Sequence, residues 1–400
     1  MNTTLRYLLA VFGVVITVHY VLSFTHTDYR RATSLNSLTS HFKGVTPADI
    51  TPIPDRYYPP FCEYKLVWRD ILLTARVLSA NESLTVDHRA NATFVILARN
   101  SDIDGTVRSI REIEDRFNRR FRYPYVFLNE ESFSDDFKKR VSVLSAAKME
   151  FGTIPRDHWY QPSSIDEKKA DAGRNRMVEQ GIIYGGSLSY RNMCRFNSGF
   201  FFRHPLMEKY RWYWRIEPDV HFHCDIRFDP FAYMEENNKV YAFTIAMYEF
   251  EKTIPSLWSH VKDFIKLHPE YLAKDNAMRF LSDTGGDTYN LCHFWSNFEI
   301  ADMSFWRGEA YTKFFEYLDD KGGFYYERWG DAPVHSIAAA LFAPASQIQF
   351  FDQIGYEHNP YTHCPRNEDT WKEEKCTCDP KRNFGKHNDL SMFHDTHSRF

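Results

Sequence analysis

Residues 5–24, LRYLLAVFGVVITVHYVLSF, form an apolar run with no acidic residue and Arg6 as its one fixed charge. That length fits the roughly 17 to 25 residues a helix needs to cross a bilayer. Residues 25–60 are rich in Ser, Thr and Pro and lack apolar periodicity, the pattern of a stem. Regular patterning starts at Asn91. FVILA is suited to a buried parallel strand, and Asp102 to Gly105 reads as a loop with capping residues. Val107, Ile110, Ile113 and Phe117 then recur at helical spacing, and YVFLN predicts a second strand. Together these predict a β-α-β unit. Helical stretches are expected around Phe137 to Lys148 and Asp166 to Gln180, a strand over Val240 to Met247, and a helix at the end of residues 322–342.

The aromatic run YRWYWRI predicts a buried strand, because aromatic and β-branched residues suit a packed, pleated surface. It ends at Glu217-Pro218-Asp219. Pro218 cannot donate to a sheet ladder, so the strand must stop or turn there. Two carboxylates are left at the strand end, where open α/β sheets bind ligands.

The pattern divides the chain into a tail (1–6), an uncleaved transmembrane anchor (7–24), a stem (25–60) and one large lumenal domain (61–400). No A-x-A-like cleavage site follows the apolar run. Asn81-Glu-Ser83 and Asn91-Ala-Thr93 fit the glycosylation acceptor pattern, which is usable only in the secretory lumen. Seven cysteines, at 62, 194, 224, 292, 364, 376 and 378, read in that compartment as disulfide partners with one left over. The spacing of His363, Cys364, Cys376 and Cys378 does not match the usual zinc knuckles. A formal net charge of -4 gives no basic footprint for nucleic acid. The β-α-β unit lacks both G-x-G-x-x-G and a P-loop, which disfavours a dinucleotide oxidoreductase or a P-loop kinase.

Further candidates for chemistry are scattered along the chain. Arg191, Arg195 and Arg203 alternate with aromatics in SYRNMCRFNSGFFFRHP; they could meet phosphate while aromatic faces stack on a base or sugar, or could snorkel from a packed element. Glu299, between Phe298 and Ile300, is either a surface position on an alternating strand or a desolvated functional group. Asp331, Pro333 and His335 open a helix, where the first two also fit capping chemistry. His358 and His363 lie in a Pro-flanked loop.

In order along the chain, SYRNMCRFNSGFF, YWRIEPDVHFHCDI, TIPSLW, YNLCHFWSNFEI, GGFYYERWGDAPVHSIA and HNPYTHCP resemble the fungal Golgi α-1,2-mannosyltransferase family, whose yeast members extend O- and N-linked mannose chains. The resemblance runs from about Asn91 to Cys378. It implies a type II Golgi membrane protein with a glycosyltransferase-A-like mixed α/β fold, a mixed sheet flanked by helices. It further implies GDP-mannose as donor, a mannose-terminated O- or N-linked glycan as acceptor, Mn²⁺ as cofactor and retention of configuration. Carried over residue by residue, it makes Glu217 and His358 the metal ligands, Glu299 the proposed nucleophile, and Tyr190 and Asp331 residues of the substrate pocket. Arg195 is expected to face the substrate. Asp219 is expected to reach the metal, the ribose or a neighbouring side chain. Mannosylphosphate transfer, an anchored carbohydrate-binding glycoprotein without turnover, and a glycosidase with two catalytic carboxylates are the competing readings.

Overall fold

The computed structural model describes residues 89–384. The tail, anchor and stem, the Asn81 acceptor and Cys62 lie outside the described residues. Among the described residues no helix is long and apolar enough to cross a membrane.

A seven-stranded sheet in the order β10-β6-β9-β4-β1-β2-β3 forms the centre. Its strands are β1 (Ala92–Leu97), β2 (Tyr125–Asn129), β3 (Met149–Thr153), β4 (Trp212–Arg215), β6 (Tyr241–Phe243), β9 (Ile300–Asp302) and β10 (Ile348–Phe350). All neighbours are parallel except β9, which runs antiparallel to β4 and β6. The expected β-α-β unit is present: α1 (Ile103–Ile113) connects β1 to β2 and buries Ile110 and Ile113, and Phe117 on the turn that follows is buried with them. Three further helices matter to the site: α2 (Leu188–Gly199), α3 (Glu309–Lys321) and α4 (Asp331–Phe342). Gly199 lets α2 approach α3 closely, since a Cβ there would lie 2.0 Å from the Phe315 ring.

β4 shows how the sequence sets the two faces. Successive side chains of a strand point to opposite sides. Trp212 and Trp214 accordingly join the core on the α1 side, while Tyr213 joins the core that contains α3 and α4. Arg215, two residues after Tyr213, therefore points to the Tyr213 side.

Two smaller sheets complete the strands. β5 (Val220–Phe222), β11 (Tyr356–His358) and β12 (Tyr361–His363) form one, and β7 (Ala246–Tyr248) pairs with β8 (Cys292–Phe294) in the other. The strand expected over Val240 to Met247 is thus two strands: Thr244 and Ile245 carry the chain from the central sheet to the β8 pair. The helix expected to run to Lys148 ends at Ser142, and β3 begins at Met149. The helix Glu167–Glu179 lies within the stretch expected for it.

Cys224–Cys376 and Cys364–Cys378 are disulfides, Cys292 is also disulfide-bonded, and Cys194 is free and buried. With Cys364, Cys376 and Cys378 all oxidised, no thiolate remains there for zinc. Asn91 is engaged in the fold rather than free in a loop. Its Nδ2 donates to the Lys209 carbonyl at 2.8 Å, and Thr93 is fully buried with its hydroxyl on the Pro124 carbonyl.

Candidate active site

Three chain segments meet at the C-terminal end of β4. After Arg215 the chain turns through Ile216 to Asp219, with Asp219 at φ +60°, and re-forms as β5. β11 then pairs antiparallel with β5, with His358 opposite Val220. That register brings His358 back beside the strand-end carboxylate, so His358 Nε2 lies 3.9 Å from Glu217 Oε2. The third segment is the turn Trp295–Glu299 between β8 and β9. Trp295 packs edge-on against the His358 ring at 5.3 Å, Asn297 Nδ2 sits 3.1 Å from His358 Nδ1, and the Ser296 hydroxyl donates to Asp331 Oδ2 at 2.8 Å.

Arg215 ties the carboxylates together. Its Nη1 donates to Asp331 Oδ2 at 2.6 Å and its Nη2 to Glu217 Oε1. This pairing leaves Glu217 Oε2 on the His358 side. Burial works against the Arg215 charge, but Asp331, Glu217 and Glu299 outweigh it and hold the guanidinium well above its ordinary range. Asp331 shows the reciprocal effect: burial would raise its carboxyl, yet Arg215 and then His335 keep it below its ordinary 3.8. A depressed carboxyl stabilises the fold above its unfolded value, and that stability is lost as pH falls through the folded value. Acid unfolding is therefore expected to include a component from Asp331 that starts below about pH 4. In Asp331→Asn the denaturation midpoint should fall at neutral pH and then depend less steeply on pH below that point.

Glu299 is 1% exposed. It is the desolvated group and not a surface position. Tyr213 Oη donates to its Oε1 at 2.7 Å, while Tyr241 Oη and His335 Nδ1 both reach its Oε2 at 3.1 Å. A carboxylate offers about four acceptor sites. Three are used here, and one on Oε1 remains. Burial, followed by the Glu299 charge, pushes both tyrosine hydroxyls well above their usual range, so they stay protonated and donating. Glu299, Arg215, Tyr213 and Asn197 line a narrow pocket of about 10 Å³, room for about one water. A wider cleft of about 400 Å³ is lined by Phe202, Arg203, Glu208, Arg307 and Thr312; it includes the candidate Arg203 but not Tyr190, Glu217, Glu299, Asp331 or His358.

Residues 73–396 match the glycolipid 2-alpha-mannosyltransferase family. The chain belongs to this family. It is 57% identical over 296 residues to glycolipid 2-alpha-mannosyltransferase 2 of Candida albicans, and the match covers 74% of this chain and 64% of that protein. It is 53% identical over 299 residues to the alpha-1,2 mannosyltransferase KTR1 of Saccharomyces cerevisiae, covering 75% and 76%. Among solved structures it resembles core-mannan synthase A (CmsA/Ktr4) of Aspergillus fumigatus in its Mn/GDP form, at TM-score 0.71 and 41% identity over 74% of this chain and 80% of that one. The mannosyltransferase Ktr4p of S. cerevisiae in complex with GDP gives TM-score 0.71 and 43% identity, covering 74% and 77%. The fold is the glycosyltransferase-A-like mixed α/β class of this family.

Within this family frame, the expected site residues fall into two groups. Glu217, His358, Asp331 and Glu299 converge around Arg215. Tyr190 lies at the edge of that cluster, in the first turn of α2, stacked between the Tyr184 ring at 4.7 Å and the Arg328 guanidinium at 5.1 Å. Its hydroxyl is pushed well above its usual range by Cys194 and by burial. Arg195 does not join. Its Nε and Nη2 grip Asp319 on α3 at 2.7 and 2.8 Å, and Nη1 reaches the Asp157 carbonyl at 3.3 Å. All its nitrogens are committed to holding α2 against its neighbours, which departs from the expectation of a substrate-facing arginine. Asp219 pairs with Arg108 on α1, over Gly105, where a Cβ would lie 2.6 Å from its Oδ2.

Glu217 Oε2 and His358 Nε2 are spaced to share one divalent cation, whose ligand distances run roughly 2.0–2.6 Å. One carboxylate and one imidazole are a donor set suited to Mn²⁺. No group of three His, Cys, Asp or Glu side chains placed to hold a metal exists among the described residues.

Sequence reasoning passed over Arg215, Tyr213, Tyr241 and Asn297. A signal was present for Arg215: a cation inside an otherwise apolar strand, two residues before the carboxylates, requires buried partners. The tyrosines carried none, since in aromatic strands they read as core.

Proposed function

We propose that the chain is a GDP-mannose-dependent α-1,2-mannosyltransferase that uses Mn²⁺ and transfers α-mannose, with retention, to a mannose-terminated O- or N-linked glycan. The observation that carries this reading is the approach of His358 to Glu217 at the end of β4. A carbohydrate-binding protein has no chemical need for a shared cation site above a desolvated carboxylate, and a glycosidase has no need of the cation. The relatives solved in Mn/GDP and GDP forms support the donor and the metal.

Mn²⁺, when bound, supplies positive charge to the diphosphate leaving group. Glu217 and His358 hold it, and Arg215 fixes the Glu217 carboxylate so that one oxygen stays directed at His358. Glu299 lines the narrow pocket, where little water competes for its carboxylate and an oxocarbenium-like centre gains the most from it. The lone pair left on Oε1 suits either route, direct attack on the anomeric carbon or stabilisation of the charge that develops on it. Tyr190, held by its stack, keeps its ring beside the Arg328 guanidinium.

The compartment follows the same reading. The oxidised cysteines fit an oxidising lumen. The apolar run at 7–24 fits a type II anchor in the Golgi membrane, with the domain at 61–400 lumenal.

Incubation of the purified protein with several nucleotide sugars, Mn²⁺ and a mannose acceptor, followed by NMR of the product, tests the function. An α-1,2-linked mannose formed from GDP-mannose alone is expected. A phosphodiester-linked mannose, or hydrolysis without transfer, would overturn it.

A further inference from the structure

We propose that Asn297 is a positioning residue for His358: by presenting its side-chain oxygen to Nδ1, it leaves Nε2 free to bind the cation. This rests on the reading that Glu217 and His358 share that cation. Asn297 is 6% exposed, and its amide lies between two partners. On one side Nδ2 is 3.1 Å from His358 Nδ1. On the other, Tyr356 Oη is 3.2 Å from both the Asn297 main-chain oxygen and Oδ1.

In the arrangement seen, Nδ2 donates to Nδ1, which puts the proton of a neutral ring on Nε2. That nitrogen faces Glu217 Oε2 at 3.9 Å, so the tautomer suits an imidazole–carboxylate contact. It does not suit a metal ligand, because the ligating nitrogen needs a free lone pair. Ligation through Nε2 requires the proton on Nδ1 and an acceptor to receive it.

A half-turn of the Asn297 amide supplies that acceptor. Oδ1 then receives Nδ1–H, and Nδ2 donates to Tyr356 Oη. Tyr356 keeps its own donation by using the Asn297 main-chain oxygen, already at 3.2 Å. Asn297 Nδ2 and Oδ1, Tyr356 Oη and His358 Nδ1 each have a partner in both arrangements, so the exchange costs no hydrogen bond. The His358 ring is placed by its β11 register and by the Trp295 ring at 5.3 Å. Asn297 also sits between Ser296, which holds Asp331, and the Phe298–Glu299 pair, so one turn orients the metal ligand and the buried carboxylates together.

Free Mn²⁺, followed by electron paramagnetic resonance during titration of the full chain in the presence of GDP, tests this directly. Asn297→Leu is close in size but cannot accept, and Mn²⁺ affinity is expected to fall about 10- to 100-fold. Asn297→Asp can only accept, and is expected to bind Mn²⁺ at least as tightly as the wild type. Should the leucine variant not fold, judged by its thermal midpoint, Asn297→Ala carries the same expectation. Unchanged affinity in the leucine or alanine variant overturns the inference, as does weaker binding in the aspartate variant than in the leucine variant, which would make donation by Nδ2 the working state. His358→Ala separates the two levels. Undiminished Mn²⁺ binding there defeats the ligand reading itself, whereas loss there with no loss in Asn297→Leu defeats only the role of Asn297.

Discussion

Arg215→Ala is expected to destabilise the protein by about 3–5 kcal/mol, the range for removing one partner of a buried ion pair. Its guanidinium pairs with Glu217 and Asp331 and keeps the Asp331 carboxyl below its ordinary range. Without it Asp331 and Glu217 lose the cation with which both pair. Two consequences separate this from simple loss of packing. Chemical denaturation should show a lower midpoint with an unchanged slope, so that stability changes and compactness does not. Adding Asp331→Asn to Arg215→Met should recover part of the loss, because the repelling charge is removed with its partner. Equal destabilisation in the single and double variants would mean that Arg215 acts through its shape alone.

The parts of the fold that could be read in the sequence depended on local pattern. Ile110, Ile113 and Phe117 revealed the face of α1, and Pro218 revealed where β4 must end. Parts that depended on pairing over long distances could not be read. Nothing near His358 says that β11 lies against β5 with His358 opposite Val220; only the family pattern linked it to Glu217. Arg195 failed for a related reason. An arginine among aromatics looks alike whether its partner is a phosphate or a carboxylate on another helix, and Asp319 is far along the chain. Glu299 was ambiguous because its apolar neighbours fit an exposed alternating strand as well as a buried site. What decides it are Tyr213, Tyr241 and His335, brought in from three other elements.

Glu299→Gln should lower kcat by at least about 100-fold, the scale of losing one electrostatic group aimed at transition-state charge. The KM for GDP-mannose should change little, since the lost interaction is strongest once positive charge develops on the sugar. Glutamine preserves size, and its carbonyl oxygen can still accept from Tyr213 or Tyr241, so the fold should survive. Stability close to wild type with a collapsed kcat separates chemistry from structure. Turnover at the wild-type rate with an α-linked product would reduce Glu299 to a buried hydrogen-bond anchor.

On the proposed function, Glu217 and His358 act as one unit that couples the cation to the donor. Calorimetric titration of GDP in the presence and absence of Mn²⁺ measures that coupling in the wild type, Glu217→Gln, His358→Ala and the double variant. Each single variant is predicted to lose most of the Mn²⁺-dependent gain in GDP affinity, and the double variant to lose little more than either. Normal Mn²⁺ dependence in His358→Ala would contradict the account.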